Sequence, residues 1–151
     1  MEYNEVLDNL RDLIRLDIDA ANAFKIARRS IEDQTVRDKF AGFRKDHEMH
    51  IMELSSMVTS IKEEEAPEYS EQFSGFLNDF EMPEQGADFG EMLQAIEKIE
   101  TQVRNRYKQV VSIHDMPSEF HMVIDRYYKQ EGKHLDYIRK ILQEHAKAEA
   151  T

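Results

Sequence analysis

Apolar residues recur along this chain at steps of three and four in four long segments, the spacing by which a helix keeps one stripe against its neighbours. The first helix is predicted over about residues 5–31, with the seam Leu7, Leu10, Ile14, Asp17, Ala21 and Phe24. The second covers about 35–61, with Val36, Phe40, Phe43, His47, His50, Leu54, Met57 and Ile61 on its seam. A third runs over about 89–113 through Leu93, Ile96, Glu100, Val103, Tyr107 and Val110, and a fourth over about 118–145 through Phe120, Ile124, Tyr127, Glu131, His134, Ile138 and Ile141. Only Glu32 to Gln34 separate the first two segments and only His114 to Pro117 the last two, so each pair is expected to form an antiparallel hairpin. Asp115, Pro117 and Ser118 supply the stop and the next cap.

The stretch 62–88 is too long for a plain loop. It opens on the acidic run Glu63, Glu64, Glu65, contains Pro67, Pro83 and Gly86, and carries Tyr69, Phe73, Phe76, Leu77 and Phe80, which predict packing against the bundle. A crossover of this length returns along the bundle and makes the second and third helices parallel. The expected fold class is therefore all-α: a four-helix bundle of two antiparallel hairpins joined by a long crossover, in one domain over residues 1–151.

Composition agrees and narrows the function. Five glycines and three prolines in 151 residues favour long helices over a turn-rich sheet. The net charge of -11 repels phosphate backbones and anionic lipid surfaces, which argues against a nucleic-acid or membrane partner. No apolar run approaches the roughly 20 residues that span a bilayer, and the N-terminus lacks a secretion signal, so a cytoplasmic location is expected. Without cysteine there is no disulfide, thiolate site, Fe–S cluster or cysteine nucleophile, and any metal must be held by His, Asp and Glu.

Six seam positions break the apolar pattern: Asp17, His47, His50, Glu100, Glu131 and His134. Asp17, His50, Glu100 and Glu131 each lie about thirteen to fifteen residues from their own hairpin turn, so at about 1.5 Å per residue these groups fall into one layer of the bundle, within roughly one helical turn of each other. Inward charge is costly unless a cation or a closed hydrogen-bond network compensates it. His47 with His50, and Glu131 with His134, are three apart and each pair shares a helix face. Oxygen and imidazole donors without sulfur suit Fe, Mn or Zn, and with open positions the redox chemistry of iron or manganese.

The halves also repeat one another. Residues 16–25 align with 99–108 at an offset of 83, matching Asp17 to Glu100, Asn22 to Asn105, Phe24 to Tyr107 and Lys25 to Lys108, while His47-x-x-His50 aligns with Glu131-x-x-His134 at 84. With these four motifs in register the chain resembles the ferritin-like superfamily, and most closely its rubrerythrin-type members, whose pattern is an inward Glu from each of two helices and a Glu-x-x-His from each of the others. The resemblance implies metal ligation by Asp17, His47, His50, Glu100, Glu131 and His134, with about two iron ions per chain, Mn or Zn being the alternatives. It adds Glu97, one turn before Glu100, as an extra exchangeable ligand, and makes Glu97 and Tyr107 the candidate catalytic residues. His47 stands where a bridging Glu is expected, leaving Glu131 as sole carboxylate bridge, and Asp17 is one methylene shorter than the usual Glu. The activity implied is that of a di-iron carboxylate redox protein, of peroxidase or ferroxidase type, reacting with hydrogen peroxide or dioxygen. With no CxxC pair for a rubredoxin-like domain, electrons must come from an external donor. The rivals are a non-catalytic iron-binding or storage protein, oligomerisation supplying any cavity, and a metal-free interaction protein; a homodimer is compatible with the reading.

His114, His121 and His145 fall outside the layer. The methionines, Met49, Met52 and Met57 among them, read as packing filler, and Tyr127 and Tyr128 as core tyrosines with satisfied hydroxyls. The acidic stretch from Glu63 to Glu71 reads as a solvated face, and Gly132, unfavourable inside a helix, as a mark of close approach to the site.

Overall fold

A computed structural model of the chain describes residues 3–62, 66–70, 72–77, 80–84 and 86–150. It contains four helices, α1 Tyr3–Arg29, α2 Gln34–Lys62, α3 Phe89–Val111 and α4 Ser118–Ala150, and no strand among the described residues. α1 stops two residues short of the expected end, where Ser30 and Ile31 donate to the carbonyls of Ala27 and Arg28 in tightened turns. Asp33 then accepts from the Val36 amide and starts α2, and Asp88 caps α3 by accepting from the Glu91 amide at 2.8 Å. α4 outruns the expected end because its tail, Ala146 to Ala150, is composed of good helix formers and His145 pairs with Glu149 one turn on.

Helix directions follow from residue pairs. Phe24 meets Phe40 while Asp17 meets His50, so α1 and α2 are antiparallel. Lys39 lies over Tyr137 and Glu53 pairs with Arg126, which makes α2 and α4 antiparallel; Arg139 reaches Thr101 and Arg104 reaches Tyr128, which does the same for α3 and α4. α2 and α3 are therefore parallel and sit on a diagonal, as the long crossover demands. Of the adjacent pairs, α2 and α4 are the most loosely packed.

The core runs the length of the bundle through Leu10, Ile14, Phe24, Phe40, Leu54, Met92, Ile96, Val103, Ile124 and Ile138, all essentially inaccessible. α1 departs from a one-stripe helix: every residue from Leu16 to Phe24 is buried. The connector between α2 and α3 covers its third side, and polar side chains hold it there. Asn22 donates to the carbonyls of Ser70 and Gln72 at 2.8 and 3.1 Å, and Asp19 accepts from the amide and hydroxyl of Ser74 at 2.6 and 2.9 Å. The aromatic anchors expected in the connector contribute in part. Leu77 and Phe80 pack against the core, whereas Tyr69, Phe73 and Phe76 keep about 40 % of their surface exposed. The acidic run Glu63 to Glu65, with Glu71, lies outside the described residues.

Candidate metal centre

All six polar seam residues are buried to 1 % exposure or less, and they meet in one layer. His47 occupies the middle. Its Nδ1 lies 2.7 Å from Asp17 Oδ1, while its Nε2 faces the other hairpin, 2.8 Å from Glu100 Oε1 and 3.2 Å from Glu131 Oε1. His50 Nδ1 approaches the same Asp17 oxygen at 3.1 Å, and His134 Nδ1 lies 2.9 Å from Glu100 Oε2 and 3.4 Å from Glu131 Oε1. Two sets of donors thus converge, Asp17, His47, His50 and Glu131 on one side and His47, Glu100, Glu131 and His134 on the other, each offering ligand atoms within 4.8 Å of one another. His47 and Glu131 belong to both.

Not every close approach is a hydrogen bond here. His47 Nε2, Glu100 Oε1 and both oxygens of Glu131 are buried and have no hydrogen bond of acceptable direction. Buried polar atoms are almost always satisfied, and four orphans facing one another are what a ring of metal donors leaves when only protein atoms are counted. The donor set, imidazole nitrogen and carboxylate oxygen without sulfur, fits a divalent first-row transition metal.

The electrostatics are those of a layer short of positive charge. Burial pushes the Glu131 carboxyl well above the usual carboxylate range, and the neighbouring charge of Glu100 adds to it. Burial opposes charging His47, yet Glu100 and Glu131 more than offset it and raise the imidazole well above its ordinary value. For Asp17 and Glu100 burial is outweighed in the opposite sense, by His50 and His47 at Asp17 and by His47 and His134 at Glu100, so both stay below the usual range.

Around this layer stand groups that hold its members. Tyr107 donates to Asp17 Oδ2 at 2.5 Å, and burial together with Asp17 drives its own pKa well up. His134 Nε2 meets Asp46 Oδ2 at 2.8 Å and His50 Nε2 meets Gln130 Oε1 at 2.6 Å. The Tyr127 ring stacks on His50 with centroids 3.8 Å apart, and its hydroxyl bonds to Glu53. A cleft of about 520 Å³ between α2 and α4 is lined by Asp46, His50, Glu53, Tyr127 and Gln130 among others, so it reaches His50 and the Asp46 carboxylate that holds His134.

The matched family decides the membership of the chain, because its model spans residues 5–112, well over half the sequence. The chain belongs to the DUF2383 family, a domain of unknown function. The match covers α1, α2 and α3 with Asp17, His47, His50 and Glu100; Glu131 and His134, on α4, lie beyond it. No curated protein and no solved structure matches the chain.

Several sequence expectations are corrected by position. Glu97 is outside both donor sets, half-exposed, with its carboxylate 3.8 Å from the Arg139 guanidinium on α4. Tyr128 is only partly buried, packed against the edge of the core with its hydroxyl accepting from Arg104 at 3.1 Å. Met57, Met92 and Met116 fill the interior, but Met49, Met52 and Met122 are 62 %, 71 % and 73 % exposed. Gly132 marks no close approach, since a Cβ there would meet only Arg104 at 3.7 Å. His114 is exposed, His121 meets the Val111 carbonyl and His145 packs on Phe89, all away from the layer. Asp46, Gln130 and Glu53 were missed as supporting groups, although Asp46 and Gln130 each directly precede a seam residue and match at the repeat offset of 84.

Proposed function

We propose that this chain is a ferritin-like, rubrerythrin-type di-metal protein that holds iron between its two hairpins and reacts with hydrogen peroxide or dioxygen. The observation that carries the reading is the set of four buried, unpartnered donor atoms on His47, Glu100 and Glu131 at the meeting point of two ligand groups. The parallel placement of α2 and α3 across a long connector supports the ferritin-like topology, and the buried layer of His, Asp and Glu supports a metal over a simple packing role.

Asp17, His47, His50, Glu100, Glu131 and His134 would hold the ions. Iron bound there supplies one-electron steps between the ferrous and ferric states, so two ions match the two electrons and two protons that convert one peroxide to two waters. The protein's share is arrangement. Phe24 and Phe43 flank the layer and exclude water, Tyr107 and the outer groups Asp46 and Gln130 fix ligand orientation, and the α2–α4 cleft admits a small oxidant. An external donor returns the electrons, since the chain has no cysteine for a second redox centre.

The test is to purify the full chain from iron-supplemented cells, measure metal content, and mix the anaerobically reduced protein with peroxide or air-saturated buffer in a stopped-flow spectrometer. Peroxide should oxidise it faster, because the neutral His47 replaces an anionic donor and makes the ferric state less favoured. Dioxygen reacting as fast would convert the reading to an oxidase or ferroxidase. Iron bound but silent to both oxidants would leave the storage alternative, and folded protein that binds no iron would end the metal reading.

A further inference from the structure

The two donor groups are related by the internal repeat, and the structure breaks that symmetry at every supporting position. Asp17 has both oxygens engaged: Oδ1 faces Nδ1 of His47 and of His50, and Oδ2 takes the Tyr107 hydroxyl. Glu100, its counterpart, has Phe24 where a second tyrosine would stand, and its Oε1 is unpartnered. The outer histidines differ in the same direction. Gln130, beside His50, presents a carbonyl or, by rotating its amide, an NH2 group, so His50 can place a proton on Nδ1 and close a hydrogen-bond network with Asp17. Asp46, beside His134, is an acceptor only. In the neutral ring it keeps the proton of His134 on Nε2 and turns the Nδ1 lone pair toward Glu100 Oε2, 2.9 Å away. With the neutral ring, two acceptors then face each other at that distance, an arrangement that a cation between or beside them relieves. Of the four unpartnered buried donor atoms, three lie on His47 and Glu131, which both groups share, and the fourth, Glu100 Oε1, belongs to the second group alone; the atoms that distinguish the first group are hydrogen-bonded.

We propose that the two groups fill unequally: a divalent transition-metal cation binds first and tightly among His47 Nε2, Glu100, Glu131 and His134 Nδ1, with Asp17 a positioning residue that holds His47 through its Nδ1. The second position fills only as Asp17 gives up hydrogen bonds it already has. A carboxylate behind a ligating imidazole fixes its tautomer and strengthens it as a donor, and removal of such a partner commonly weakens metal binding by about 10–100-fold. Asp17 stands to His47 as Asp46 stands to His134, so the tight position has a carboxylate behind each of its imidazoles. The inference rests on the metal-centre reading and refines it, since it orders the two positions that reading provides.

Cobalt(II) alone is the probe, titrated into the full-length metal-free protein while visible ligand-field absorption and binding heat are followed. One equivalent should bind at least about 100-fold more tightly than the second. His134→Ala should remove the tight step, His50→Ala should leave it within about threefold, and Asp46→Asn and Asp17→Asn should each weaken it about 10–100-fold and shift the cobalt bands. Helical circular dichroism checks that each variant is folded, and the wild-type titration decides independently of them. Two equivalents of matching affinity, or equal losses from His50→Ala and His134→Ala, would overturn the ordering and leave the di-metal reading standing. A folded wild-type chain that binds no cobalt would overturn both.

Discussion

In the first hairpin α1 is covered on three sides, by α2, α3 and the connector, whereas its counterpart α3 in the second hairpin keeps residues such as Lys98, Asn105 and Lys108 in solvent. The two helices are matched by the repeat, yet the chain has one connector, and α1 holds it through Asn22 and Asp19. Asn22 and Asn105 occupy equivalent places; the first is buried and clamps two connector carbonyls, and the second is exposed. A duplicated sequence therefore sets equivalent helical positions, while the asymmetric connection decides which of them work. The metal layer shows the same lesson at closer range, with Tyr107 tying Asp17 Oδ2 where Phe24 leaves Glu100 Oε1 unpartnered.

The largest effect expected from separating the halves is at that aromatic pair. Phe24 has its ring 5.0 Å from Phe40, 5.7 Å from Phe43 and 5.8 Å from His47, with no exposed surface. Phe24→Ala should lower unfolding free energy by about 3–5 kcal/mol, the range for emptying a packed aromatic site, as read from denaturant midpoints at unchanged slope. A loss below about 1 kcal/mol would mean that the wall beside the metal layer collapses freely, and that the first hairpin is not the tightly packed one.

Next comes the clamp. Asn22→Ala leaves the Ser70 and Gln72 carbonyls without their donor and should destabilise by about 1–3 kcal/mol. Asn105→Ala, at the matching place, should stay within about 0.5 kcal/mol. Equal effects in thermal or chemical unfolding would remove the connector as the source of asymmetry.

Smaller again is the expected change at Tyr107. Tyr107→Phe keeps the ring, removes the hydroxyl from Asp17 Oδ2 and frees that oxygen as a ligand. In cobalt titrations the second equivalent should tighten about tenfold, roughly 1.4 kcal/mol, with the first little changed. If both steps weaken alike, the tyrosine is a structural strut and the two positions are not distinguished through Asp17.

Much of this arrangement was legible in the sequence for definite reasons. Periods of three and four mark the helices, and Asp17, His47, His50, Glu100, Glu131 and His134 announce themselves by standing on apolar seams where a solvated residue has no place. The length of 62–88 sets the directions of α2 and α3. Burial of α1 on its third side was not legible through periodicity, because a helix covered all round has no polar face to reveal its angle; the small residues Ala20, Ala21 and Ala23 were the available signal. Asp46 and Gln130 escaped notice because each lies about 100° from a seam residue and reaches inward to the opposite helix only through a ring nitrogen. Met49 is exposed because it lines the cleft where α2 and α4 separate, a property of helix spacing that no single helix encodes, and Met52 is exposed one turn further along α2.

Gly132 gives the smallest and most local test. It lies between Glu131 and the Lys133–His134 pair on α4, and its counterpart at the repeat offset of 84 is Glu48 on α2, an ordinary helical residue paired with Arg44. Nothing in the second hairpin uses the missing side chain: the nearest atom to an added Cβ is Arg104 Nε at 3.7 Å, an ordinary contact with a flexible group. The backbone there is helical, so the glycine brings only its conformational entropy in the unfolded chain. Gly132→Ala should stabilise by about 0.5–1 kcal/mol and leave both cobalt-binding steps unchanged. Thermal unfolding of the metal-free variant measures the first part and a titration the second. A destabilised variant, or one whose tight metal step moves, would show that α4 needs freedom at Gly132 to bring Glu131 and His134 to the layer. The glycine would then be a functional break in the repeat and not a neutral one.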